Sequence, residues 1–187
     1  MTDVLKDEIK KIADFSDDDI QLFRTYLEEK VIPKGNYFLE EGQISHYIGY
    51  VKSGLFMYYK IIDENIVPAD FAQENEWAAY LKSFNTSAIS DMNIKALEDS
   101  TILVLSKNKM MKLFEQEPKF MALKNYYVEL SFMKNTEHTG NLAALNAKER
   151  YYKFMKNHPD LLNRVPQYHL AAYLGIKPQS LSRLRNS

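Results

Sequence analysis

Apolar positions recur at helical spacing at both ends of the chain and fall into short, closely spaced runs between them. Near the N-terminus, Ile20, Phe23 and Leu27 repeat at helical spacing behind Ser16. The Ser16 hydroxyl can cap a helix whose first turn carries Asp17, Asp18 and Asp19, where carboxylates favour the helix dipole. The first 30 residues therefore read as helices. From Val31 to Leu105 the pattern changes to short β-rich pieces: Tyr37–Leu39, Tyr47–Lys52, Leu55–Ile62, Ile66–Phe71, Ile94–Leu97 and Thr101–Leu105. Turn residues separate them, at Pro33-Lys34-Gly35, Glu41-Gly42, Ser53-Gly54 and Asp63-Glu64-Asn65. Many short strands at close spacing predict a sandwich, a barrel or a jelly roll. Glu74–Phe84 interrupts the run and reads as a short helix carrying Trp77, the only tryptophan.

Helix returns after Ser106, which can cap a turn leading into Met110, Leu113 and Phe114. Pro118 stands where a proline opens a helix, and the helical pattern then runs to about Leu145. Phe120, Leu123, Tyr127, Leu130 and Met133 fall on one stripe, Lys134–Thr139 is polar, and Gly140 follows. A helix of about 28 residues is roughly 40 Å long, more than a domain of this size needs for its own packing. Residues 118–145 are therefore expected to be a homodimer helix, with Gly140 allowing close approach; a helix lying across its own domain is the alternative. Asn146-Ala147-Lys148-Glu149 has the spacing of a capping box and opens the next helix, with Tyr151, Phe154 and Met155, ending near Asn157-His158-Pro159.

The run from Val165 to Arg185 carries the most specific pattern. Pro166 starts a helix with Leu170, Ala171 and Leu174 on its inner face, and small Ala171 leaves room for a crossing helix. Gly175 follows, where a left-handed backbone is cheap for glycine, and Ile176 plugs the turn into the core. Pro178 opens a second helix with Leu181 and Leu184 facing inward. Gln179, Ser180, Ser182, Arg183 and Arg185 are left outside, with Lys177 and Gln167 at the two helix starts. This is the layout of a helix-turn-helix, whose second helix enters the DNA major groove. Arginine can pair bidentately with guanine, glutamine with adenine, and serine with a base or a phosphate. A plain helical hairpin is the structural alternative.

Composition sharpens this picture. Of 187 residues, 45% are hydrophobic and 26% charged, which is ordinary globular usage and argues against disorder. No apolar run approaches the length of a membrane span, and Met1–Lys11 has no apolar stretch of a signal peptide, so a cytoplasmic location is expected. The chain has no cysteine, which excludes disulfides, cysteine nucleophiles and thiolate metal sites. Net charge is −1, but residues 147–187 hold eight Lys/Arg against two acids, so +6 there leaves −7 on residues 1–146. A basic C-terminal segment on an acidic body fits a phosphate-facing domain.

These features together resemble the Crp/Fnr family of transcription regulators, over nearly the whole chain. Gly140-Asn-Leu-Ala-Ala-Leu-Asn146 is similar to the family's helix-to-hinge segment, and Ile32-Pro-Lys-Gly35 and Glu40-Glu-Gly42 to its opening β-roll turns. The resemblance implies an α+β protein: an N-terminal β jelly roll of cyclic-nucleotide-binding type with flanking helices, a long dimerisation helix, and a C-terminal all-α helix-turn-helix. The expected boundaries are 1–117, 118–145 and 146–187. It also implies that Gln179, Ser180 and Arg183 read bases. The family's Gly-Glu pair for ribose falls near Ala79-Tyr80, and its Arg-Ser pair for phosphate near Ser90-Asp91. No arginine lies between Lys30 and Leu145, and a phosphate buried without a guanidinium beside Asp91 would be costly. Cyclic AMP is therefore not expected, no cofactor is expected, and any effector is a different small molecule. Trp77, Tyr80 and Phe84 are candidates to line a reshaped apolar pocket. Asn135 and Thr136 sit where the family's dimer helix can touch a base. The sequence ends two residues past Arg185, where the family usually adds a β-hairpin wing, so a wingless reader with a shallower salt dependence is expected.

Little else suggests chemistry. His46, His138, His158 and His169 are scattered without metal-ligand spacing, and there is no phosphate-binding glycine loop. No enzyme activity and no metal are expected. The expected function is sequence-specific binding of double-stranded DNA by a homodimeric transcription regulator. The alternative is a small-molecule-binding or interaction module that keeps the fold without binding DNA.

Overall fold

The computed structural model describes residues 1–185. Chain contacts group them into two compact units, Met1–Met57 with Phe71–Leu130, and Tyr58–Asp70 with the described residues from Ser131 onward.

The first unit opens with helices α1 (Asp3–Ile12) and α2 (Asp17–Tyr26). The Ser16 hydroxyl accepts from the Asp19 amide at 3.2 Å, and the Asp19 carboxylate accepts back from the Ser16 amide at 2.7 Å, so the expected cap is a full capping box. Strand β1 (Glu28–Ile32) follows at once. The first three residues of this strand lie within the 30 expected to be helical. Its Glu28-Glu29-Lys30 start shows no alternation of apolar residues, and pairing with the last strand of the roll, not its own pattern, makes it a strand. Next come β2 (Tyr37–Leu39), β3 (Tyr47–Ser53), β4 (Phe56–Ile62), β5 (Asn65–Ala72), β6 (Trp77–Ala78), helix α3 (Leu81–Thr86), β7 (Asn93–Ala96) and β8 (Ser100–Ser106).

The strands form two four-stranded sheets, ordered β1-β8-β3-β6 and β2-β7-β4-β5. This is the antiparallel jelly-roll arrangement expected from the short strands. At the β3–β4 turn Gly54 has φ +98°, and a Cβ there would stand 2.1 Å from the Ser100 hydroxyl. One expectation fails. Glu74–Phe84 is not one helix: Trp77 pairs with Tyr50 as part of β6, and only Leu81–Thr86 is helical.

Helix α4 (Lys107–Gln116) is capped by Ser106, whose hydroxyl accepts from the Lys109 amide at 3.2 Å. Pro118–Phe120 forms a 3-10 turn, so the long helix α5 runs from Met121 to Ala144, a shorter span than the 118–145 expected. Its apolar stripe divides. Phe120 and Leu123 are buried in the first unit's core with Leu5, Ile9, Phe15, Ile20 and Phe23. Phe120 stacks between Phe15 at 5.0 Å and Phe23 at 5.6 Å. Leu130 and Met133 are exposed. The start of the stripe thus packs on its own unit, and Leu130 and Met133 beyond it are open.

The second unit continues with α6 (Ala147–Asn157), α7 (Leu161–Arg164), α8 (Gln167–Tyr173) and α9 (Pro178–Arg185). The capping box at Asn146 is present. Its side chain accepts from the Glu149 amide at 3.1 Å, and the Glu149 carboxylate accepts from the Asn146 amide at 2.8 Å. The core of these helices is Tyr151, Phe154, Leu161, Val165, Leu170, Ala171, Leu174 and Leu181, all buried.

Candidate nucleic-acid interface

The geometry of α8, its turn and α9 follows from local chemistry. At the end of α8 the Ile176 amide donates to the Ala171 carbonyl at 2.9 Å and the Gly175 amide to the Ala172 carbonyl at 3.0 Å. These two bonds are a Schellman motif, which needs a left-handed residue between them. Gly175 supplies it, with φ +64°. Pro178 has no amide to leave unpaired at the first position of α9. The first helical bond there is from the Leu181 amide to the Lys177 carbonyl, 3.1 Å.

Leu181 is fully buried and anchors α9. With Leu181 inward, Gln179, Ser182, Arg183 and Arg185 are exposed, and Ser180 is half-buried. Lys177 and Gln167, at the starts of α9 and α8, are also exposed. The helix therefore presents amide, hydroxyl and guanidinium groups on one outward face. Arg185 is partly engaged: its guanidinium donates to the Leu162 carbonyl at 3.3 Å and to the Asn163 side chain at 3.4 Å. Arg150, counted in the basic C-terminal segment, turns inward onto backbone carbonyls.

The roll places the candidate pocket residues differently. Trp77 packs against Tyr50, with ring centroids 5.6 Å apart, and against Tyr127 at 5.5 Å. Among the described residues, its indole nitrogen and the Tyr127 hydroxyl are buried and find no hydrogen-bond partner. Burial pushes the Tyr127 hydroxyl pKa up. Phe84 is 2% exposed and belongs to the core cluster. Tyr80 donates its hydroxyl proton to the Asp91 carboxylate. Trp77 and Phe84 thus belong to one packed cluster, and Tyr80 is bonded to Asp91. Ser90, at the position the resemblance gives to a phosphate contact, is buried and bonded to Met92 through both its hydroxyl and its acceptor lone pair. Asn135 and Thr136 lie exposed on α5, and the Asn135 amide donates to the Ser131 carbonyl one turn back at 2.9 Å.

Two features went unnoticed in the sequence. Helix α7 is only four residues long, too short for periodicity to reveal. The second is a cleft between the end of α5 and the following helices, lined by Lys134, His138, Asn141, Arg150, Lys153 and Tyr173 among others. In it His138 stacks on Tyr173, with centroids 4.2 Å apart and planes 12° apart. Among the described residues no group of His, Cys, Asp or Glu could hold a metal ion, and no helix is long and apolar enough to cross a membrane.

Residues 29–117 match the family model of the cyclic nucleotide-binding domain. No curated protein matches the chain. Among solved structures it is similar to CLP of Xanthomonas campestris, described as a c-di-GMP responsive global regulator, at 15% identity, TM-score 0.71, covering 91% of this chain and 90% of that one. It is similar to FixK2 of Bradyrhizobium japonicum at 14% identity, TM-score 0.74, covering 86% and 83%. It is also similar to the catabolite activator protein of Thermus thermophilus at 16% identity, TM-score 0.59, covering 94% and 84%. At such identities the likeness shows the fold. The chain has the α+β architecture of these structures, a β jelly roll followed by a long helix and C-terminal helices.

Proposed function

We propose that the chain is a sequence-specific DNA-binding transcription regulator of the Crp/Fnr type, and not an enzyme. The observation that carries this reading is α9. A fully buried Leu181 turns Gln179, Ser182 and Arg183 outward on a helix held by a glycine turn. That is the chemistry of a major-groove reader. The +6 charge of residues 147–187 supplies phosphate attraction on an otherwise acidic chain.

Such a reader works as a homodimer, with two recognition helices about one DNA turn apart on a pseudo-palindrome. The dimer contact is made by α5 beyond its buried start. Phe132 is 71% exposed and Met133 66%, and Tyr126 and Leu130 are also open. Apolar side chains that large, clustered on one helix, mark an association surface. Residues 1–117 act as the sensor, 118–145 as the dimer helix and 146–187 as the reader. Any effector is a small molecule other than cyclic AMP, because the family resemblance puts the ribose and phosphate contacts near Tyr80 and Asp91, which bond each other. The protein is placed in the cytoplasm by this reading.

The test is selection of duplexes from a random pool at low salt, followed by titration with salt for the wild type and Arg183→Ala. Enrichment of a two-fold symmetric site by the wild type supports the reading, with loss at one base position per half-site in the variant. Absence of retention at low salt overturns it.

A further inference from the structure

Arg150 lies at the start of α6 yet serves two other helices. Its Nε donates to the Leu174 carbonyl at 2.7 Å, one Nη to the Leu145 carbonyl, and the other Nη to the Gly175 carbonyl at 3.3 Å. Leu145 directly follows α5, and Leu174 and Gly175 follow α8. Carbonyls at a helix C-terminus have no intrahelical donor, and a cation there is favoured by the helix dipole. One guanidinium therefore caps two helix ends together, that of α5 and that of α8. A planar fork can meet three carbonyls in fixed directions; a lysine ammonium cannot reproduce the arrangement.

Other contacts converge on the same junction. A Cβ at Gly175 would stand 3.3 Å from the Leu142 side chain of α5 and 3.6 Å from Arg150 Nη2, so the turn of the reader lies against both. Lys153 of α6 pairs with Glu137 at 2.7 Å and donates to Asn141 at 2.9 Å, both on α5. His138 of α5 stacks on Tyr173 of α8. The covalent link from α5 to α6 is only Leu145 and Asn146. Of these fastenings, Arg150 is the one that grips the turn immediately before α9.

We infer that Arg150 is a positioning residue. It sets the angle of α9 against α5, and through the dimer it sets the spacing at which two recognition helices meet DNA. The inference rests on the proposed DNA-binding reading for its consequence, but the positioning itself can be read without DNA. Arg150 spends its donors on backbone carbonyls, so it acts on specificity without itself contacting a base.

The absence of native cysteine allows a direct test. Spin labels at Thr136→Cys on α5 and Ser182→Cys on α9 are measured by pulsed electron resonance, with the labelled chain diluted into excess unlabelled chain. DNA measurements are made separately on the unlabelled protein, comparing symmetric sites whose half-sites are moved apart or together by single base pairs. Arg150→Ala and Arg150→Lys are each compared with the wild type, with circular dichroism confirming the fold; if Arg150→Ala unfolds, Arg150→Lys alone is read. The expected result is a clearly broadened label distance in both variants. Affinity for the best-spaced site should fall on the order of tenfold and the preference for one spacing should flatten. An unchanged distance distribution in a folded variant overturns the inference, whatever the DNA result. A broadened distance with no DNA binding by the wild type sustains the positioning role and overturns the DNA-binding reading instead.

Discussion

The Tyr80 hydroxyl is hydrogen-bonded to the Asp91 carboxylate, so the two positions that the family resemblance gives to ribose and phosphate contacts satisfy each other. Lys82 stands 3.8 Å from the same carboxylate. Burial and the neighbouring Asp91 raise the Tyr80 pKa to about 12, so the hydroxyl stays a proton donor throughout the physiological range. A cyclic phosphodiester entering here would meet the Asp91 carboxylate, with the nearby ammonium of Lys82 already facing it. The expected outcome of calorimetric titration with cyclic AMP is no saturable heat up to millimolar ligand. Saturable binding at micromolar ligand would show that Tyr80 and Asp91 part to admit a nucleotide.

The outward residues of α9 are expected to differ in effect. Arg183→Ala should cost about 1–3 kcal/mol of specific binding and relax preference at one base per half-site. Arg185→Ala should cost less and act evenly across sequences, since its guanidinium is shared with Leu162 and Asn163. Competition gel shifts with single-base variants of the selected site read both. A larger, base-specific loss for Arg185→Ala would reverse the assignment.

Leu181→Ala tests the anchor beneath that face. Removing a fully buried leucine from a packed site typically costs about 2–5 kcal/mol. Thermal melting should show a marked loss, with the helices of the second unit affected first. A melting temperature within error of the wild type would mean that α9 is not held by its inward leucine.

How much of this could be read in advance follows from where the structural information lies. The two helices α8 and α9 and the turn between them were legible because each constraint there is local: Gly175 for a positive φ, Pro178 for a missing amide, Leu181 for burial. The caps at Ser16, Ser106 and Asn146 were legible for the same reason. Strand β1 was not, because Glu28–Ile32 becomes a strand only by pairing with β8, some 70 residues away. Trp77 was placed in a helix because nothing near it in sequence shows that Tyr50 will be its strand partner. Arg150 counted toward the basic charge of residues 147–187, and only the folded junction shows its charge spent on three carbonyls.

The exposed flank of α5 gives a prediction about assembly. Phe132→Glu with Met133→Glu places two charges on the most open apolar positions of that helix. Sedimentation should show a dimer for the wild type and a monomer for the double variant, with circular dichroism unchanged. Binding to the symmetric site should fall to that of a single half-site. A double variant that still sediments as a dimer would move the contact elsewhere.

The last prediction concerns pH. His138 is half-buried between α5 and Tyr173, and its pKa is lowered from 6.5, chiefly by burial. The Asp70 carboxylate on β5 works against this and raises it, while Lys134 on its own helix lowers it further. Lys134 and Asp70 are themselves paired at 3.3 Å, which limits what either does to the imidazole. Arg150, Lys153 and His158 of the neighbouring elements, with Glu137 of α5, line the same cleft. With the folded pKa below the unfolded one, the unfolded chain binds the proton first as pH falls. Stability is therefore full above 6.5 and declines as pH drops through 6.5 toward the folded value, then levels off. His138→Phe keeps a ring on Tyr173 and removes the titration. The melting temperature of the variant should gain on the wild type between pH 7.5 and about 5.5. A constant difference across that range would show that the imidazole is not titrating in the folded protein's favour or against it. A difference that moves the other way would mean that Asp70 outweighs burial and that His138 is held charged against Tyr173.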